Sequence, residues 1–225
     1  MTVAAKTASQ QRLEDKVSAG YTRRLAQLVK ELQLRPQEGL VRIPELVRTG
    51  RGIPSIHQFY DRNLFCQTIS WAVPSLEALE AIKAFFWAKK QIVEIGAGLG
   101  LWSYLLQRLM GVDIIPVDLD IESEGFVQYS MADQPPFTEI HPLDSIGEPD
   151  ALLFCWPSYD EPWAAWYLQK HMPGAVAYIG EGCGGCTADE TFHEILYEEY
   201  VEVGMVSIPT WGSVHDRLTL WRKKD

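Results

Sequence analysis

Short apolar runs and helical periodicities alternate between residues 91 and 179, and this alternation constrains the fold more than any other feature. Gln91-Ile92-Val93-Glu94-Ile95 is β-branched and ends at Gly96. Leu101 to Met110 has helical spacing and stops at Gly111, a C-terminal breaker. Asp113 to Asp118 reads as a second strand, its Pro116 marking a place away from the sheet centre or a local irregularity. Ala151 to Cys155 and Ala175 to Ile179 are unbroken apolar runs, as strands covered on both faces should be. Trp163 to His171 is a predicted helix. A second predicted helix runs from Thr187 to about Tyr200, with Thr187 as cap and Glu190 completing a capping-box pattern. Val201 to Ile208 and Arg217 to Trp221 then close the chain as two strands around a turn at Trp211-Gly212-Ser213. Strands joined by helices and finished by a strand pair predict a mostly parallel α/β sheet.

Ahead of this region, Leu13, Val17, Tyr21, Leu25, Leu28 and Leu32 recur at steps of three and four, one stripe of a helix over about 10–33. Pro36 ends it. Residues 36–75 are rich in Pro, Gly and aromatics and read as an irregular connector with short helices. Ser75 caps a further helix whose buried side is Leu76, Leu79, Ile82 and Phe86. The expected division is an N-terminal helical extension and connector, 1–74, and a ligand-binding catalytic domain, 75–225.

Charge excludes some classes. The 225 residues carry a formal net charge of −10, which argues against a general nucleic-acid binder. The charge is uneven: residues 1–50 hold nine basic and five acidic side chains, and the remainder 11 against 25. A basic arm on an acidic body leaves an acidic partner open, its own body being the nearest. No apolar run approaches the roughly 18–20 residues of a membrane span, and the N-terminus is too polar for a secretory signal. Four cysteines suit a reducing, cytoplasmic setting. Cys183 and Cys186 form a C-x-x-C, but in a glycine-rich run, without a second pair for zinc.

The turn Glu94-Ile95-Gly96-Ala97-Gly98-Leu99-Gly100 is the most informative segment. Glycines let a backbone turn tightly and approach a ligand, and the helix that follows offers free N–H groups. A dinucleotide G-x-G-x-x-G would need its third glycine where Leu101 stands. No Gly-Lys-Ser/Thr follows, which excludes a P-loop. The observed G-x-G-x-G, with an acid two residues before it, resembles motif I of the class I S-adenosylmethionine-dependent methyltransferases. The resemblance covers residues ~75–225. It implies a Rossmann-like methyltransferase fold, a seven-stranded mostly parallel sheet with a C-terminal antiparallel hairpin. It also implies S-adenosylmethionine as cofactor, with Glu94 near its ammonium and Gly96, Gly98 and Gly100 around it. Asp118, 18 residues past Gly100, can accept from ribose hydroxyls, with Asp120 as the alternative.

The run Cys155-Trp156-Pro157-Ser158-Tyr159-Asp160 follows a strand where, in that superfamily, the departing methyl lies. Enzymes that methylate amino groups of nucleic acids carry Asp/Asn/Ser-Pro-Pro-aromatic here. Trp156 replaces the acceptor residue, so adenine or glutamine methylation is not indicated. Cys155 and Trp156 offer no hard ligand for magnesium. Ser70-Trp71-Ala72-Val73-Pro74, Trp156-Pro157 and Gly180-Glu181-Gly182 are similar to a little-characterised branch that carries no substrate with it. Trp156 is expected at the cofactor, and Trp71 and Tyr159 at the acceptor. Glu181 and then His215 are the catalytic candidates, ahead of His141, and His193 falls inside a helix. The N-terminal helix is expected to dock on its own domain as a lid, or to form a homodimer. The expected activity is metal-independent methyl transfer to O or N of a small molecule. The alternatives are cofactor binding without transfer, or a protein or RNA methyltransferase recruited by the basic arm.

Overall fold

The computed structural model describes residues 8–47, 56–118 and 135–225. Seven strands form one sheet: β1 (Ile92–Ile95), β2 (Ile114–Asp118), β3 (His141–Pro142), β4 (Ala151–Cys155), β5 (Ala175–Gly180), β6 (Tyr200–Ser207) and β7 (Arg217–Lys223). Their order is β3-β2-β1-β4-β5-β7-β6. Strands β1 to β5 are parallel to one another, while β7 runs antiparallel between β5 and β6. This is the seven-stranded, mostly parallel sheet with a C-terminal antiparallel hairpin that the resemblance implies. Pro116 pairs with Glu94 across β1, and the other neighbour, β3, reaches only Val117 and Asp118. The missing N–H therefore costs no central ladder bond. The two-residue β3 replaces a segment that reads as loop around His141.

Helices cover both faces because consecutive strand residues point to opposite sides. Val93, Ile95, Leu152, Phe154 and Val176 pack against α6 (Trp163–His171) and α7 (Glu190–Glu199). Ile92, Leu153, Ala177 and Ile179 face the other layer, which contains α4 (Leu76–Phe85) and α5 (Leu101–Leu105), continued by a π-helical turn to Met110. Gly111, at φ +67°, ends that turn in the left-handed conformation a side chain resists.

The N-terminal helices join this second layer. α1 (Ala8–Leu34) buries Tyr21, Leu25, Leu28 and Leu32, each stabilising by about 1.5–3 kcal/mol, in one core with Trp102 and Leu105. Those residues are thus spent within the chain; the side chains of Leu13 and Val17 lie outside the described residues. α2 (Pro36–Arg42) and α3 (Ile56–Thr68) follow.

Two expectations change. Asp189, not Thr187, caps α7, accepting from the Phe192 amide at 3.0 Å. Thr187 is drawn inward, where its hydroxyl oxygen accepts from the Glu181 amide at 2.9 Å and meets the Tyr178 hydroxyl. Leu76 opens α4 on its outer side and is 42% exposed, because the first turn overhangs the core. Ser75 caps that helix as expected, accepting from Ala78.

Candidate functional site

In an open parallel sheet, a crevice forms where successive crossovers leave to opposite sides. Here that point lies between β1 and β4, and a cavity of about 470 Å³ opens at their carboxyl ends. Such a volume suits a nucleoside-sized ligand. Gly96, Gly98 and Gly100 all have positive φ (69°, 55° and 71°), so the turn is available only to glycine without strain. Two have no room for a side chain either. A Cβ on Gly96 would lie 2.6 Å from the Trp163 ring, and one on Gly100 2.7 Å from Ile140. A Cβ on Gly98 would meet nothing within 4 Å, so this glycine keeps backbone bare where a ligand can approach.

Asp118 fixes the turn from the next strand: its Oδ2 accepts from the Gly98 amide at 2.6 Å. Gly96 and Ala97 donate to the Val117 carbonyl, completing the seam. Asp120 lies outside the described residues.

Glu94 is 1% exposed. Its Oε2 accepts from both the amide and the hydroxyl of Ser103, in the first turn of α5, at 3.1 and 2.5 Å. Oε1 makes no hydrogen bond among the described residues. Burial pushes this carboxyl from 4.5 up to about 7, Ser103 pulls it back, and Asp118 nearby pushes it further.

Beyond β4 the wall is aromatic. Trp71 and Trp156 stack at 5.2 Å, and Tyr159, Trp163 and Tyr167 continue the lining. Trp156 sits at φ +55°, an unusual place for a bulky residue. It is held there by its amide bond to the Ile179 carbonyl (2.8 Å) and its indole N–H bond to Asp216 (2.7 Å). Burial lifts the Asp216 carboxyl to about 6, against the pull of the Trp156 bond. Tyr159 is 66% exposed at the mouth.

The predicted cofactor residues Glu94, Gly96, Gly98, Asp118 and Trp156, and the predicted acceptor residues Trp71 and Tyr159, thus line one cavity, with Gly100 ending the turn that forms its edge. Glu181 and His215 do not line it. The Glu181 carboxylate accepts from the amides of Cys186 and His215, each at 2.7 Å, and His215 Nδ1 stands 3.4 Å away. Burial would raise this carboxyl, but the two amides and His215 outweigh it and hold it below the usual range. His141 is on the edge strand β3, and buried His193 meets the Thr187 carbonyl through Nε2. Cys183 and Cys186 are exposed thiols, and no cluster among the described residues could hold a metal ion. Ser103 and Trp163 escape sequence reasoning because their partners lie 9 and 67 residues away.

No family model matches the chain, and no curated protein does. Among solved structures, it is similar to a point mutant of MtNAS in complex with S-adenosylmethionine. That match has 14% identity over 97% of this chain and 80% of that one, with a TM-score of 0.46. It is also similar to the PH0226 protein from Pyrococcus horikoshii OT3, at 14% identity over 77% and 100%, with a TM-score of 0.46. The N-methyltransferase NodS from Bradyrhizobium japonicum WM9 matches at 15% identity over 66% and 95%, with a TM-score of 0.39. Similarity of this degree carries no function to the chain, whose chemistry has to be read from its own side chains.

Proposed function

We propose that this protein is a cytoplasmic, metal-independent methyltransferase that uses S-adenosylmethionine to methylate O or N of a small molecule. One observation carries the reading. The cavity is lined by three carboxylates, Glu94, Asp118 and Glu161, and by no lysine, arginine or histidine among the described residues. Two unit charges 4 Å apart interact by about 4 kcal/mol at an effective dielectric of 20. Such a lining repels a dinucleotide's pyrophosphate and attracts an ammonium and a sulfonium.

In this reading Glu94 takes the ammonium at Oε1, Asp118 takes ribose hydroxyls, and Gly98 lets the backbone approach. Bound there, S-adenosylmethionine supplies an electrophilic methyl on sulfur, open to in-line displacement by the acceptor's lone pair. The chain's share is orientation and exclusion of water. Trp156 borders the methyl, and Trp71 and Tyr159 wall the acceptor. Glu181 and His215 act by position. They hold the loop that carries the cavity residue Cys186 and the turn that carries Asp216, the partner of Trp156.

A second reading, cofactor binding without transfer, is favoured by the placement of Glu181 and His215 away from the cavity. Calorimetry with S-adenosylmethionine, S-adenosylhomocysteine and NAD tests the first. Binding of the first two but not NAD, weakened at least tenfold by Glu94→Ala and Asp118→Ala, is expected. Silence of the natural chain toward both sinks the proposal. Binding with no methylated product over a broad acceptor panel selects the second reading.

A further inference from the structure

The cavity lining pairs positive charge only, whereas S-adenosylmethionine also carries a carboxylate, as an acceptor can. One guanidinium stands beside the site without lining it. Arg62 lies on the face of α3 that carries Cys66 one turn on, with Ile69 just past the helix end, and both of those line the cavity. Its guanidinium carbon is 5.0 Å from the Trp156 ring centre and 5.8 Å from that of Trp71, the stacked indoles of the wall. The residue is half-buried, and its Nε is shut from solvent with no hydrogen-bond partner. Among the described residues the guanidinium makes no hydrogen bond or ion pair at all. Asp216 acts on it only through space.

A buried charged donor without an acceptor is costly, so its persistence calls for a partner. The indoles attract the cation without taking a hydrogen bond from it, so its N–H donors remain available. Its fork matches a carboxylate at two points, which an ammonium would not.

We propose that Arg62 is the carboxylate-binding residue of this cavity, gripping a carboxylate of the bound ligand while the Trp71 and Trp156 rings hold its guanidinium beside the wall. The ligand's identity rests on the methyltransferase reading. The carboxylate belongs either to the cofactor's amino-acid end or to the acceptor, and the chemistry is the same for both.

Arg62→Gln and Arg62→Lys separate the sources. Each is compared with the natural chain by calorimetry with S-adenosylhomocysteine and with 5′-methylthioadenosine, which lacks the amino-acid end. Each is also compared by saturation-transfer NMR with benzoate against benzamide. Arg62→Gln should weaken a carboxylate probe at least tenfold and leave its uncharged counterpart within twofold, with Arg62→Lys in between. Loss confined to S-adenosylhomocysteine assigns the cofactor's carboxylate; loss confined to benzoate assigns the acceptor's. Equal loss for charged and uncharged probes, or no loss for either, overturns the proposal. So does a natural chain that favours neither carboxylate probe over its counterpart. If S-adenosylhomocysteine fails to bind the natural chain, the methyltransferase reading falls and the benzoate pair alone decides Arg62. Where Arg62→Gln does not fold, Arg62→Lys, which keeps the stacked charge but not the fork, carries the same comparison.

Discussion

Two strand ends in this molecule lead into glycine-rich turns, and a buried glutamate stands beside each. After β1 the turn is Gly96 to Gly100, with Glu94; after β5 it is Gly180 to Cys186, with Glu181. Glu94 meets one residue, Ser103, and its carboxyl rises to about 7. Glu181 is gripped by two loop amides and neighboured by His215, and its carboxyl falls below the usual range. Burial acts on both in the same direction, so the donors decide the difference. A saturated carboxylate holds its own loops together. An undersatisfied one at a cavity keeps an oxygen free of protein donors among the described residues and, in the reading proposed above, takes the ligand's ammonium.

The largest effect expected from this contrast is on the turns themselves. Gly96→Ala combines left-handed backbone strain of about 1–2 kcal/mol with a clash against Trp163 that costs about 1–3 kcal/mol more. Denaturant unfolding should show about 2–5 kcal/mol lost. Gly184→Ala, also at positive φ (81°) but in open space, should show the strain alone. Equal losses would mean that the first turn is not the more tightly constrained of the two.

The pH dependence comes next. Glu94 titrates at about 7 folded against 4.5 unfolded, so folding favours its protonated form. Its effect on stability is harmless below 4.5 and turns into a cost of about 3 kcal/mol as pH rises through 7. Glu181, lowered on folding, acts the other way, stabilising above the usual carboxylate range and losing that contribution as pH falls through it. Unfolding free energies from pH 5 to 8 should therefore fall in the natural chain and fall less in Glu94→Gln, where Asp216, lifted to about 6, still lowers stability up to that pH. Affinity for S-adenosylmethionine should instead rise toward pH 7, as Glu94 ionises.

Glu181→Ala strands the Cys186 and His215 amides and should cost about 2–3 kcal/mol of stability, with S-adenosylhomocysteine affinity within threefold. Glu94→Gln should do the reverse. Calorimetry should show binding about tenfold weaker, about 1.4 kcal/mol, in a protein no less stable at pH 8. If Glu181→Ala also removes ligand binding at unchanged stability, the assignment of the two turns is inverted.

Much of this contrast is legible in the sequence, and what is hidden has a common cause. Glu94, the three glycines and Asp118 stand within 25 residues, where strand and turn geometry fix their relation. The alternation of strands likewise gives the sheet, apart from β3, whose two residues leave no periodic trace. The α7 cap was misplaced because Thr187 and Asp189 are both competent. Thr187 is diverted by Tyr178 and Glu181, a tertiary preference that local pattern does not carry. The Trp156–Asp216 bond joins residues 60 apart, and the Arg62 contact with Trp156 joins α3 to the end of β4. Charge, spacing and turn chemistry describe one segment at a time. The role of Glu181, a loop clamp rather than a lining residue, depends on two segments meeting.

The Tyr104 hydroxyl, shared between the Leu32 and Gln33 carbonyls at 2.9 and 3.1 Å, caps the C-terminal end of α1 from the neighbouring helix α5. One residue earlier, Ser103 holds Glu94. The N-terminal helix and the glutamate beside the glycine turn therefore pull on adjacent residues of the same short helix. These shared contacts predict one cooperative opening unit, in which hydrogen exchange of the amides in α5 and in the last turn of α1 should slow together if S-adenosylhomocysteine binds as proposed.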